Sequence, residues 1–220
     1  MKGIFRWDSP VMQKLALVSN LICLNLLWIV CSLPIVTMGA ATTALYYAIF
    51  QIQTNDEDAI LRPFFRGFTQ NFKQATLLWL PLLAATVLML FNLRYLFAFG
   101  GHTIFWIVFI FMTIVVLLVQ AQMLPMLARF EMTNQAIVKS SAALTLMHFL
   151  SCLIMTALNV VPIVAFFADV YTFMWLSPLW VCIWFAMIAY INGRILLKIW
   201  KKHMPDEQPE EISEESAEEG

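Results

Sequence analysis

Apolar residues run along this chain in long blocks separated by short charged ones. Uncharged runs occupy positions 15–55, 74–93, 95–128, 140–168 and 170–193. About 20 apolar residues cross a hydrocarbon layer roughly 30 Å thick, so each run is long enough for one crossing and the first is long enough for two. Strands of a transmembrane barrel would alternate apolar and polar residues over about 10 positions, whereas these runs are apolar on all faces. Inside lipid their backbone groups must be satisfied within helices. The pattern predicts an all-α fold, a polytopic transmembrane helical bundle.

The first run has 41 uncharged positions, which suits a close hairpin. Its first arm extends from Leu15 to about Leu33. Pro34 and Gly39 supply the break, because proline disrupts the preceding helical turn and glycine permits a sharp reversal. The second arm, about Val36 to Gln53, is short and reads as a tilted, neighbour-packed helix or a re-entrant one. Further spans are expected at about 75–97, 103–127, 143–167 and 171–193, with Asn134 and its neighbours separating four from five and a tight turn at 168–170.

Charge placement sets the preferred topology. With six spans, Lys2, Arg6, Lys14, Arg62, Arg66, Lys73, Arg129, Lys139, Arg194, Lys198, Lys201 and Lys202 share one face, 12 of the 13 basic residues. The excess of Lys and Arg marks the cytoplasmic side, so a cell-membrane protein with both termini cytoplasmic is expected. Five spans is the competing reading, because the second arm is weak, and it is less favoured because it would move the first three cations outside. The formal net charge of -1 hides an asymmetry: Asp206 to Glu219 carries eight acidic residues and no basic one. Acidic pairs four apart repel on a helix, so the chain divides into a membrane domain at 1–203 and an acidic, disordered cytoplasmic tail at 204–220.

Between the hairpin and the third span, Asp56-Glu57-Asp58 precedes Leu61, Phe64, Phe65, Phe68 and Phe72 at helical spacing, with Arg62, Arg66 and Lys73 on more polar positions. Pro63 suits a first turn. This predicts an amphipathic helix at the cytoplasmic interface, anchoring to lipid or meeting a soluble partner. Lys2, Arg6 and Lys14 precede an apolar stretch longer than the 7–15 residues of a signal-peptide core, which reads as a first membrane anchor.

Charged residues are 12% of the chain, against about 25% in soluble domains, and no Asp or Glu lies deep in a span. Coupled carriers often rely on such groups, and no phosphate-binding loop, zinc motif or serine nucleophile elbow is present. No catalytic residue, metal ligand set or cofactor site is therefore expected, nor a nucleic-acid partner. Cys23, Cys31, Cys152 and Cys182 all lie in apolar spans and read as packing residues. Trp28, Trp79, Trp106, Trp175, Trp180, Trp184 and Trp200 suit bilayer anchoring. The polar positions that remain are candidates for structure or ligand contact: Asn25, Thr37, Thr42 and Thr43 near the hairpin, with Pro34 and Gly39 at its bend; Phe64, Phe68, Asn71 and Phe72 in the interfacial segment; Arg94, which can snorkel outward; and His148 and Asn159 in span five. Interhelical hydrogen bonding is the favoured role for the amides and hydroxyls, and a satisfied core histidine for His148.

Leu33-Pro34-Ile35-Val36-Thr37-Met38-Gly39 followed by Ala41-Thr42-Thr43-Ala44-Leu45-Tyr46-Tyr47, with Phe64-Phe65-Arg66-Gly67-Phe68 and Asn71-Phe72-Lys73-Gln74-Ala75, resembles the YesL family of bacterial membrane proteins, a domain of unknown function. The resemblance extends over about 4–200, and Ala40 stands where the family often has proline. It implies a plasma-membrane protein of Gram-positive type, often encoded near carbohydrate uptake or degradation systems, and supplies no reaction. A non-enzymatic accessory or assembly component of a carbohydrate uptake system is thus expected, in contact with membrane lipids and with sugar ATP-binding-cassette transporter subunits. The alternatives are a small channel or transporter formed by a homo-oligomer, and a membrane sensor or regulator.

Overall fold

The computed structural model describes residues 10–54, 60–100 and 102–203, and among them every regular element is helical. Lys2, Arg6, the Asp56-Glu57-Asp58 run and the acidic tail lie outside the described residues. Helix α1 covers Pro10–Ser32 and a 3-10 turn, Ile35–Thr37, leads into α2, Met38–Thr54. Helix α3 is Leu61–Phe99 and α4 is Thr103–Arg129. Helices α5, Asn134–Met147, and α6, Phe149–Ala168, are bent by 106° at His148. After α7, Val170–Trp175, the last span begins as the short turn α8, Ser177–Leu179, passes through a π-helical stretch at Trp180–Trp184 and continues as α9, Phe185–His203. Five helices are long and apolar enough to cross a membrane, or six if the bent α5–α6 pair is one span. The chain is a multi-span membrane protein.

Helix α2 is the centre of the bundle. Its small residues Gly39, Ala40, Ala41, Ala44 and Ala48 are buried, and α1, α3, α4 and α9 all pack on it. Small side chains let helix backbones approach closely where lipid gives no hydrophobic incentive to associate. A Cβ on Gly39 would collide with Trp79 Cβ, and one on Gly67 would come within 2.8 Å of Tyr47 Cβ. These two contacts set α2 antiparallel along the first half of α3. The second arm, weak in sequence, is therefore a neighbour-packed helix with most of its length buried.

Three expectations change. The interfacial segment and the third span form one unbroken helix of 39 residues, about 58 Å long at 1.5 Å per residue. Pro63 sits in its first turn, as expected, and nothing between Gln70 and Gln74 stops the helix. Phe64 is fully buried and Phe68 and Phe72 are half-buried, so part of the apolar face of this segment packs inside the bundle, while Leu61 and Phe65 remain exposed. His148, expected within a span, is the joint between α5 and α6, and Asn134, expected in a loop, begins α5. Trp28, Trp79, Trp180 and Trp200 are buried in helix packing, so four of the seven tryptophans do not face lipid.

At one end of the bundle, Trp200 stacks against Phe50 at 5.4 Å and Phe130 at 5.0 Å between ring centroids. This cluster gathers the C-terminal ends of α2, α4 and α9, and with them Arg129, Lys198, Lys201 and Lys202. Arg62 and Arg66 stand at the α3 start that runs beside the end of α2. Six of the basic residues collected by the charge count thus share one end.

Gly39→Ala should lower the thermal-unfolding midpoint in detergent. Overpacking costs about 1–3 kcal/mol, more than the roughly 1 kcal/mol that alanine gains over glycine within a helix. Gly193→Ala, whose added carbon would meet the amide end of Gln53 at 3.0 Å rather than a ring stem at 2.4 Å, should lower the midpoint less than Gly39→Ala.

Candidate functional site

The polar residues of the hairpin are bonded within the bundle, and Asn25 and Thr42 join helices. Asn25 is fully buried and its amide nitrogen donates to the carbonyls of Trp180 at 3.2 Å and Val181 at 2.6 Å. Its oxygen accepts from the Ala186 N–H at 3.0 Å. The three bonds fall where the π-helical stretch takes the last span off the α-helical ladder, so the side chain replaces partners that the irregular backbone lacks. In lipid, irregular backbone persists only where such groups are re-satisfied.

At the bend, Pro34 caps the 3-10 turn and Thr37 Oγ1 lies 2.6 Å from the Cys31 carbonyl and 2.8 Å from that of Pro34. Thr42 donates to Met38 O at 2.8 Å and accepts from Trp28 Nε1 at 3.1 Å, while Thr43 donates to Gly39 O at 3.0 Å. Trp79 Nε1 donates to Ile35 O at 3.0 Å, tying α3 to the bend. Deeper ties join α2 to α9, through Asn192 Nδ2 to Tyr46 Oη at 3.3 Å and Gln53 Nε2 to the Tyr190 carbonyl at 2.8 Å.

The other sequence candidates lie apart. Arg94 is exposed on the second half of α3, and Asn159 is exposed on α6, bonded to Met155 O at 2.8 Å. His148 is half-buried at the α5–α6 joint. Phe68 and Phe72 pair at 5.4 Å on α3, and Asn71 bonds back to Gly67 O at 3.1 Å. The four cysteines are free thiols, with Cys182 exposed and the others buried or half-buried. Among the described residues no group of three or more His, Cys, Asp or Glu could hold a metal ion.

Asn71 belongs to a feature with the make-up of a binding site. A groove of about 700 Å³ opens at the basic end between α2, the first half of α3 and the α4–α5 connection. Tyr47, Arg66, Gln70, Asn71 and Gln74 form one wall, and Arg129, Glu131 and Thr133 the other. Gln74 Nε2 donates to the Met132 carbonyl at 2.7 Å and fixes the α4–α5 connection over α3. Apart from Asn71, these residues were not candidates on sequence. Arg66, Gln70 and Gln74 recur every four residues and so share one face of α3, a polar stripe beside the apolar one; Arg129 and Glu131 join it only through the fold.

These features define a polytopic membrane helical bundle with polar hydrogen bonds between its helices and a polar groove at its basic end. Residues 21–93 match the family model described as "Protein of unknown function, DUF624". This is the YesL family, the same one that the hairpin and Phe64–Ala75 motifs resemble. The match takes in most of α1, all of α2 and α3 as far as residue 93, a shorter stretch than the 4–200 over which the motifs are expected to extend. No curated protein and no solved structure matches the chain.

Asn25→Leu, close in size but unable to hydrogen-bond, should cost about 1–3 kcal/mol, since three bonds to otherwise poorly satisfied backbone are lost. Amide hydrogen exchange should accelerate at Ala186 while the amides of α4 keep their protection.

Proposed function

We propose that the protein is a non-enzymatic accessory or assembly component of a bacterial carbohydrate uptake system, seated in the cell membrane with its basic end and both termini in the cytoplasm. The observation that carries this reading is the far half of the α3–α4 hairpin. Beyond Pro81, α3 leaves α2 and pairs with α4, with Thr86 Oγ1 3.4 Å from Gln120 Oε1. Leu88, Phe91 and Tyr95 of α3 and Ile107, Phe111 and Ile114 of α4 are exposed along this arm. Such a two-helix arm offers apolar flanks to the membrane helices of a permease. The carbohydrate element rests on the YesL resemblance, and the cytoplasmic placement on the positive-inside rule.

A small channel built on the polar positions of α1 and α2 is the weaker reading, because Asn25, Thr37, Thr42 and Thr43 are each bonded within the bundle.

A photo-crosslinking residue at Phe91 or Ile107, expressed in native membranes, should capture a permease subunit of a sugar transporter, and deletion of the gene should reduce uptake of that sugar. Crosslinks to lipid and to the protein itself alone, with uptake unchanged after deletion, would contradict the reading.

A further inference from the structure

Among the described residues the groove at the basic end holds two cations, Arg66 and Arg129, and one carboxylate, Glu131. Arg129 is half-buried at the last turn of α4, and Arg66 stands on the facing wall of α3. Neither forms an ion pair with any described carboxylate, Glu131 included, although Glu131 lines the same groove. A guanidinium cannot lose its charge to suit a partly desolvated site, so half-buried Arg129 favours an anion beside it. Two arginines lining one groove suit a phosphate, which each can grip through paired N–H donors. The N-terminus of α5 adds to this field, since Thr133 makes no side-chain cap and lies on the groove wall.

The surroundings say where the phosphate comes from. A second recess, lined by Phe68, Phe72 and Lys73, shares Gln70 with the groove. It offers a paired aromatic surface immediately beside the polar pocket, on a helix that continues into an apolar span. A headgroup in the groove would lay its glycerol and chain starts along these rings. The cavity volume of about 700 Å³ exceeds what a bare phosphate needs and leaves room for a polar headgroup among Gln70 and Asn71. Basic pockets between membrane helices at one face of the bilayer favour anionic headgroups for the same reasons.

We propose that this groove binds the phosphate of an anionic glycerophospholipid, with Arg66 and Arg129 as its contacts. The site stands whether or not the protein serves a transporter. It makes the bound lipid part of the contact between α3 and the α4–α5 connection, since both arginines would hold the same group.

The test uses the full chain in nanodiscs of phosphatidylcholine with and without phosphatidylglycerol, with bound lipid read by native mass spectrometry. The wild-type chain should retain phosphatidylglycerol preferentially. Arg66→Gln and Arg129→Gln should each weaken that retention by about tenfold, the loss of one charge-assisted contact. Arg129→Lys, which keeps the charge without the fork, should fall between wild type and Arg129→Gln. Glu131→Gln should strengthen retention by removing a like charge, a gain that a purely structural role for these residues would not produce. Arg62→Gln, exposed and outside the groove, should change nothing. Equal retention by wild type and both arginine variants would overturn the proposal. So would inorganic phosphate displacing phosphatidylglycerol as readily as the lipid itself, which would assign the groove to a soluble anion.

Discussion

The close approach of α2 to α3 is the contact on which the rest of this bundle depends. Gly39 lets the Trp79 ring lie against the start of α2, and Gly67 lets Tyr47 lie against the start of α3. Lipid is as apolar as a leucine side chain, so helices in a membrane gain little from simple burial and associate through close packing and hydrogen bonds. With α2 locked to the first half of α3, its other faces are free to receive α1, α4 and α9. The groove is a by-product of the same geometry. Its walls are the polar stripe of α3, Tyr47 of α2, and the α4–α5 connection held over them by Gln74.

A second constraint comes from the backbone. The last span carries a π-helical stretch, and such irregularity inside a membrane needs side chains that re-satisfy the displaced groups. Asn25 does this from the opposite side of the bundle, joining α1 to Trp180, Val181 and Ala186. The polar residues that look most like a substrate path in the sequence are therefore the ones that fix helix positions. Polar character with room for a ligand is found instead at the basic end.

Much of this was legible in the pattern of residues. Long apolar runs announce the spans, Pro34 and Gly39 announce the hairpin, and six of the cations in the charge count, Arg62, Arg66, Arg129, Lys198, Lys201 and Lys202, collect at one end. The interfacial segment was only half legible. Its amphipathic spacing is real, but periodicity cannot distinguish a face turned to lipid from one turned to another helix, and Gly67 reads as a weakness until Tyr47 is found against it. The break at His148 carries no proline or glycine signal at all, so the run 140–168 reads as one span. Arg129 and Glu131 were illegible as site residues because their partners on α3 lie more than fifty positions away, and only the packing of α4 on α2 and α3 brings them together.

The most direct test of this account is the contact between Tyr47 and Gly67. In a chain whose four native cysteines are replaced, the pair Tyr47→Cys and Gly67→Cys would be oxidised in native membranes and assayed for an internal disulfide. A Cβ at position 67 falls 2.8 Å from that of Tyr47, about 1 Å inside the separation a disulfide adopts, so a small parting of the two helices brings the pair into bonding range. The account predicts rapid, near-complete crosslinking, and none between Tyr47→Cys and a cysteine at the exposed Leu77. Failure of the 47–67 pair to crosslink would mean that the start of α3 lies away from α2, as a separate interfacial helix would, and would contradict the packing on which the bundle and its groove are built.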